Sequence, residues 1–248
     1  MLYRVEGIVI RSMDYGEGNK IITLLTEHDG KAGVLVRGAK KPKSRHAALT
    51  LPFTYGQYIF FRNSGLGTLN AGEIMESHHL LREDLTLAAY ASYACELLDR
   101  ILQDEETGAF WFTQLKACLE ALEGGKDAAV VIHLYEMKIL QAAGYGPELE
   151  VCVVSGTDQE LDFFSPRLGG VLSRRCRHMD PAAMPISPSV LKLLRLLRRL
   201  DMRRLGNVAV KDSTKAELKT LMRALMDMQI GIQLKSRNFL DQLDKYQI

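Results

Sequence analysis

The sequence predicts a two-part α+β protein: a five-stranded OB-type β-barrel over residues 1–80, then an all-helical domain over residues 81–248 with an irregular Cys/Gly-rich insert at about 147–188. Three observations predict it. From Val5 to about Ile74 apolar and polar residues alternate with a period of two, and β-branched and aromatic residues stand between Gly, Asn and Asp turns. After Arg82 the apolar period lengthens to three and four. Between Glu150 and Pro188 no period holds, and Gly, Pro, Ser, Cys and Arg take over.

Five strands are expected near Val5–Arg11, Lys20–Thr26, Gly33–Arg37, Gln57–Arg62 and Thr68–Ile74. Turns at Asp14-Tyr-Gly, His28-Asp-Gly and Asn63-Ser-Gly-Leu-Gly join them. Short strands so evenly spaced suit a small closed barrel, because closure removes exposed strand edges; an SH3-like barrel is the alternative to the OB type. Leu85, Ala88, Ala89, Ser92, Tyr93, Leu97 and Ile101 then mark a first long helix, and Phe112, Leu115, Cys118, Leu119 and Leu122 a second. A third runs from about Ala128 to Ala143 and stops at Gly144, ahead of Pro147. Beyond the insert, helices are expected from Ser189 to about Arg204, from Ser213 as N-cap to about Gln229, and over Asn238–Leu243.

With 248 residues, 47% hydrophobic, 25% charged and only seven prolines, the chain has the composition of a globular protein able to bury a full core. Disordered and collagen-like classes are excluded. No apolar run approaches the roughly 18 residues of a membrane span, and the N-terminus enters a strand pattern with no signal-peptide h-region, so a cytoplasmic location is expected.

Net charge is only +2, but its placement is uneven. Between Gly30 and Gly72 there is no acid, against Lys31, Arg37, Lys40, Lys41, Lys43, Arg45 and Arg62. Five of these cations lie within nine residues, Arg37-Gly-Ala-Lys-Lys-Pro-Lys-Ser-Arg45, where Gly38 and Pro42 oppose a helix. Such a loop must face water or an anion. Arg167–Arg204 holds ten basic residues against Asp180 and Asp201, and Glu96–Asp127 reverses the balance with eight acids. In Leu191–Leu200 and the residue before it, Val190, Leu193, Leu194, Leu197 and Leu200 take one helical face and Lys192, Arg195, Arg198 and Arg199 the other, with Arg203 and Arg204 extending the row. A membrane-surface role ranks below nucleic acid there, since neighbouring segments can cover the leucines.

OB barrels hold single strands by running cations along phosphates and stacking aromatics under bases. Tyr55, Tyr58, Phe60 and Phe61 alternate near the loop, so one face is available to a ligand, although each taken singly is better read as barrel core. Cys95 and Cys118 fall on apolar helix faces as buried thiols. Cys152-Val-Val-Ser155 and Ser173-Arg-Arg-Cys176 have the spacing of a structural zinc site in which two cysteines have become serines. Only Cys152, Cys176 and, as a third candidate, His178 remain, so no cofactor is expected and packing should hold the loop. No phosphate loop, zinc-protease helix, nucleophile elbow or dinucleotide fingerprint is present, and Asp104-Glu-Glu106 looks like connecting surface; no catalytic residue is assigned.

Three segments, Val36–Arg45, Phe164-Ser-Pro-Arg-Leu-Gly-Gly-Val-Leu172 and Leu234-Lys-Ser-Arg237 with Phe239 and Leu240, strongly resemble the RecO family of bacterial recombination mediators, and the likeness spans nearly the whole chain. The resemblance implies an OB barrel, a helical domain and a turn region that binds zinc through four cysteines in many members. Ser155 and Ser173 occupy two of those positions here. It also implies a non-enzymatic DNA repair protein that binds single- and double-stranded DNA and anneals complementary strands. Such a protein helps load the recombinase RecA onto DNA coated by single-strand binding protein, with RecR and the C-terminal tail of single-strand binding protein as partners. Five phosphate contacts from Arg37, Lys40, Lys41, Lys43 and Arg45 would give a salt slope of about −3.5, or on the order of 100-fold weaker binding for fourfold more salt. Without the resemblance, the residues leave open a magnesium-dependent nuclease or nucleotidyl transferase using the same basic groove, and an RNA-binding barrel.

Overall fold

The structure, a computed structural model, describes residues 1–103 and 107–246; the acidic run 104–106 lies outside them. The alternating N-terminal region forms β1 (Leu2–Tyr15), β2 (Asn19–Thr26), β3 (Lys31–Val36), β4 (Tyr55–Phe61) and β5 (Gly67–Glu76). These close into a barrel in the order β1-β2-β3-β5-β4, with β3 and β5 parallel and the other neighbours antiparallel. β1 is long enough to serve two partners because of a bulge between Val9 and Arg11. Its first half pairs with β4, and its second half forms a hairpin with β2.

Val9, Ile22, Leu24, Val34, Val36, Tyr58 and Phe60 fill the barrel. Tyr58 is fully buried, and its hydroxyl donates to the Leu49 and Thr54 carbonyls, so a polar tip inside the core is satisfied. Tyr55 is buried as well, donating to the Glu6 carboxylate. The aromatic face on β4 is therefore core at Tyr55, Tyr58 and Phe60, and only Phe61 stands in solvent.

Strand gives way to helix where the periods change, β5 ending at Glu76 and α1 (Leu80–Glu83) beginning four residues later. α2 (Leu85–Ile101) starts on Asp84, whose carboxylate accepts from the Leu87 N–H, and α3 (Ala109–Glu123) packs against it. α4 (Ala128–Ala142) is capped by Asp127 in the same way. The described chain divides into two compact units, residues 1–124 with 234–248, and residues 125–233.

In the second unit the insert is more regular than its sequence indicates. β6 (Phe163–Ser165), β7 (Gly170–Leu172) and β8 (Met184–Pro185) form a small antiparallel sheet. Strands of two and three residues are too short to show a period. α5 (Pro188–Arg199) starts one residue earlier than expected, because Ser187 caps it and Pro188 takes its first position. It also ends earlier: the extended Leu200 stops it, and Arg203 and Arg204 fall in a separate 3-10 turn rather than on the helix. α6 (Asp212–Gln229) has Lys211 at its N-cap, so Ser213 lies inside the helix and is no cap. α7 (Lys235–Tyr246) returns to the first unit. Its backbone N–H groups at Lys235 and Ser236 donate to Glu96 of α2, a carboxylate placed where the helix dipole favours it.

Candidate nucleic-acid interface

The segment after β3 has to leave the barrel, and the residues that let it do so also order it. Gly38 adopts φ +68°, a left-handed turn that costs a side-chain-bearing residue about 1–2 kcal/mol. Its N–H donates to Asn19 Oδ1 at 2.9 Å, and the Lys40 N–H to the Gly18 carbonyl at 3.1 Å. Ala39, 4% exposed, belongs to the barrel core. The loop is thus pinned to the β1–β2 hairpin and the core by one small residue and by two of its own N–H groups, one on a side-chain amide oxygen and one on a carbonyl. Its five cations, Arg37, Lys40, Lys41, Lys43 and Arg45, are all exposed. Lys43 holds φ +65°, unusual for a long side chain.

These cations differ in their partners. Lys40 Nζ lies 2.6 Å from Asp14 Oδ2 at the hairpin, and Lys20 Nζ reaches the same carboxylate at 4.0 Å. The hydrogen bond from Lys40 holds the Asp14 carboxyl below its ordinary value. Arg45 Nε donates to His46 Nε2 at 3.1 Å, which requires a neutral imidazole. Burial first, and then the Arg45 charge, push His46 below its ordinary value and keep it in that form at neutral pH.

The arginine row of the second unit is arranged otherwise. Arg195 and Arg199 both reach Glu150, at 3.3 and 2.7 Å, and Arg198 lies 3.8 Å from Glu148. Arg195 Nε also donates to the Leu149 carbonyl at 2.9 Å. Arg203 makes a two-nitrogen contact with Asp201, at 3.2 and 2.8 Å. The Arg203 hydrogen bonds bring Asp201 down to about 2. Lys192 and Arg204 are exposed. Local acids that sequence reasoning did not weigh, Glu148 and Glu150 at the start of the insert, therefore neutralise much of this face.

Cys152 and Cys176 do come together, packed with Leu172 and Ala183. Burial raises the Cys152 thiol, but the Ser155 hydroxyl and the N–H groups of Ser155, Ser173 and Val154 outweigh it and bring the thiol below its ordinary value. The donor set does not fit zinc. Two thiols are present, His178 is exposed with Nδ1 on the Arg175 carbonyl at 3.0 Å, and the described residues hold no group of three His, Cys, Asp or Glu able to ligate a metal. Among the described residues no helix is long and apolar enough to cross a membrane.

Comparison with known proteins finds one family along nearly the whole chain. Residues 1–78 match the family model Recombination protein O N terminal, and residues 82–238 match Recombination protein O C terminal. A protein of Bacillus mycoides named DNA repair protein RecO is 44% identical over 248 residues, covering all of both chains. Proteins of the same name from Bacillus subtilis and Halalkalibacterium halodurans are 44% and 43% identical over 244 residues, covering 98% of this chain and 96% of each relative. With both family models matched in order on a closed five-stranded barrel and the helices after it, the chain belongs to the RecO family of DNA repair proteins.

Proposed function

We propose that this protein is a non-enzymatic recombination mediator. It binds single- and double-stranded DNA, anneals complementary strands, and with RecR helps load RecA onto DNA coated by single-strand binding protein. The observation that carries the reading is the ordered loop of five exposed cations at the end of β3, set in a stretch from Gly30 to Gly72 without a carboxylate. Two single strands repel through their phosphates, and a protein that neutralises both lowers the barrier to pairing. The loop cations Arg37, Lys40, Lys41, Lys43 and Arg45 are the primary phosphate contacts in this reading. Arg195, Arg198, Arg199, Arg203 and Arg204 are secondary contacts, because DNA must compete there with Glu148, Glu150 and Asp201. The C-terminal tail of single-strand binding protein, acidic and apolar, suits leucines rimmed by arginine in the helical domain. The protein works without zinc, the turn at Cys152 and Cys176 being closed by packing and hydrogen bonds.

The test is a fluorescence annealing assay with complementary oligonucleotides, run with and without single-strand binding protein. The wild type should speed pairing and Lys40→Ala/Lys41→Ala/Lys43→Ala should lose most of that effect while remaining folded. An unchanged rate in the folded variant rules the loop out, and cleavage of labelled DNA in the presence of magnesium would turn the reading toward a nuclease.

A further inference from the structure

Two cysteines stand in the turns Cys152-Val-Val-Ser155 and Ser173-Arg-Arg-Cys176, and the way those turns face each other sets the chemistry open to them. The Cys152 sulfur accepts from the Ser155 hydroxyl, from the N–H groups of Ser155 and Val154 in its own turn, and from the Ser173 N–H in the opposite one. The opposite turn opens the 3-10 segment Arg174–Met179, and the Cys176 N–H folds back onto the Ser173 carbonyl at 2.9 Å. Ser173 therefore ties the turn of the second cysteine to the sulfur of the first. Both thiols enter one buried cluster with Leu172 and Ala183, Cys152 being 1% and Cys176 9% exposed. Their cover is thin, because Val154, Ser155, Gly156 and Arg175 are all exposed. Ser173 Oγ, on a residue 3% exposed, has no hydrogen-bond partner among the described residues. A buried hydroxyl without a partner is rare and points to an occupant.

We propose that Cys152 and Cys176 are a dithiol pair that a peroxide converts to a reversible disulfide, closing the insert covalently. This goes beyond the DNA reading and does not depend on it. Burial raises the Cys152 thiol, but its four donors outweigh that and hold it at about 6, so the nucleophilic thiolate is present at neutral pH. Cys95 and Cys118 are the contrast. Burial pushes both helix thiols far up, and they stay protonated and inert. In the first step the Cys152 thiolate attacks one peroxide oxygen: an S–O bond forms, the O–O bond breaks, and the other oxygen leaves as hydroxide and takes up a proton to become water. Ser173 Oγ is the free donor for that leaving oxygen. In the second step the Cys176 sulfur attacks the Cys152 sulfur: the S–S bond forms, the S–O bond breaks, and the departing hydroxyl takes the Cys176 proton as a second water. Two thiols have lost two electrons, and the peroxide has gained them.

The experiment uses the full-length protein, reduced and then freed of reductant and of metal by a chelator. Hydrogen peroxide is added, remaining thiols are alkylated in denaturant, and peptides are mapped by mass spectrometry. A peptide pair joined at Cys152 and Cys176 should appear, should vanish with dithiothreitol, and should leave Cys95 and Cys118 alkylated. Cys176→Ser should stop one step earlier, at a sulfenic acid on Cys152 that dimedone traps, and Cys152→Ser should leave Cys176 a free thiol. Ser173→Ala should form the disulfide about tenfold more slowly, the worth of one hydrogen bond, with thermal unfolding of the reduced protein unchanged. An unchanged rate in that variant overturns the role of Ser173. If Cys152 and Cys176 stay alkylatable while free cysteine in the same tube is oxidised, or if Cys95 and Cys118 react as fast, the proposal is overturned. It also fails if the link forms only between two chains, or if elemental analysis before chelation finds one zinc per chain protecting both thiols.

Discussion

Asp14 decides how strongly the loop can pull on DNA. Its carboxylate already holds Lys40 at 2.6 Å, so a phosphate arriving at Lys40 displaces a side chain rather than a dissolved counterion. Salt dependence counts only released ions, so four free cations give a slope of about −2.8 where five would give about −3.5. Asp14→Asn should therefore bind single strands more tightly at low salt and steepen the slope by about 0.7. A salt titration of both proteins checks this, and equal slopes would mean that Lys40 does not meet phosphate. The pairing was illegible in the sequence, because Asp14 and Lys40 are twenty-six positions apart and meet only once the β1–β2 hairpin folds over the loop. The far end of β1 was illegible for the same reason: Tyr15 read as a turn residue, and only the pairing with Asn19 past the bulge keeps it in the strand.

Among the elements, those with several periods were read correctly in existence, though not at every end, and those with less than two were not read. α2 and α4 repeat their apolar positions over four turns, and the five barrel strands alternate over six residues or more, so their existence and order followed from pattern alone. β6, β7 and β8 are set by long-range pairing and by one buried carboxylate. Asp180 is 2% exposed, accepts from the Ser165 hydroxyl and the Ala182 N–H, and faces Arg167 at 3.5 Å. The Ser165 hydroxyl is the main cause that holds its carboxyl below the ordinary 3.8. A depressed carboxylate contributes stability that is complete above its unfolded value and is lost as pH falls through the folded one. Asp180→Ala should thus cost about 2–3 kcal/mol near neutral pH, from lost hydrogen bonds to a buried charge. The variant should also lose less stability than the wild type as pH falls below the ordinary 3.8. Urea unfolding at pH 7 and pH 3 checks both statements, and a variant as acid-sensitive as the wild type would show that Asp180 is not the titrating group.

For the molecule as a whole, segregated charge was legible in the sequence, but which charges remain free was not. The first unit presents its loop cations with one internal acid among them, while the second meets its arginines with Glu148, Glu150 and Asp201. Exposed pairs of this kind are worth at most about 1 kcal/mol each, so a phosphate can break them, but at a cost the loop carries only at Lys40. Affinity for one strand should therefore be set by the loop, and the arginine row should matter when a second strand must be neutralised. Arg199 and Arg204, both exposed, are the places to test this without disturbing packing. Arg199→Ala/Arg204→Ala should bind a single strand within about twofold of the wild type, since it leaves all five loop contacts in place. It should nevertheless anneal complementary strands several-fold more slowly at moderate salt. Anisotropy and annealing measured on one preparation separate the two effects: equal losses in both would assign the arginines to the first strand, and no loss in either would leave the loop as the one surface that meets DNA.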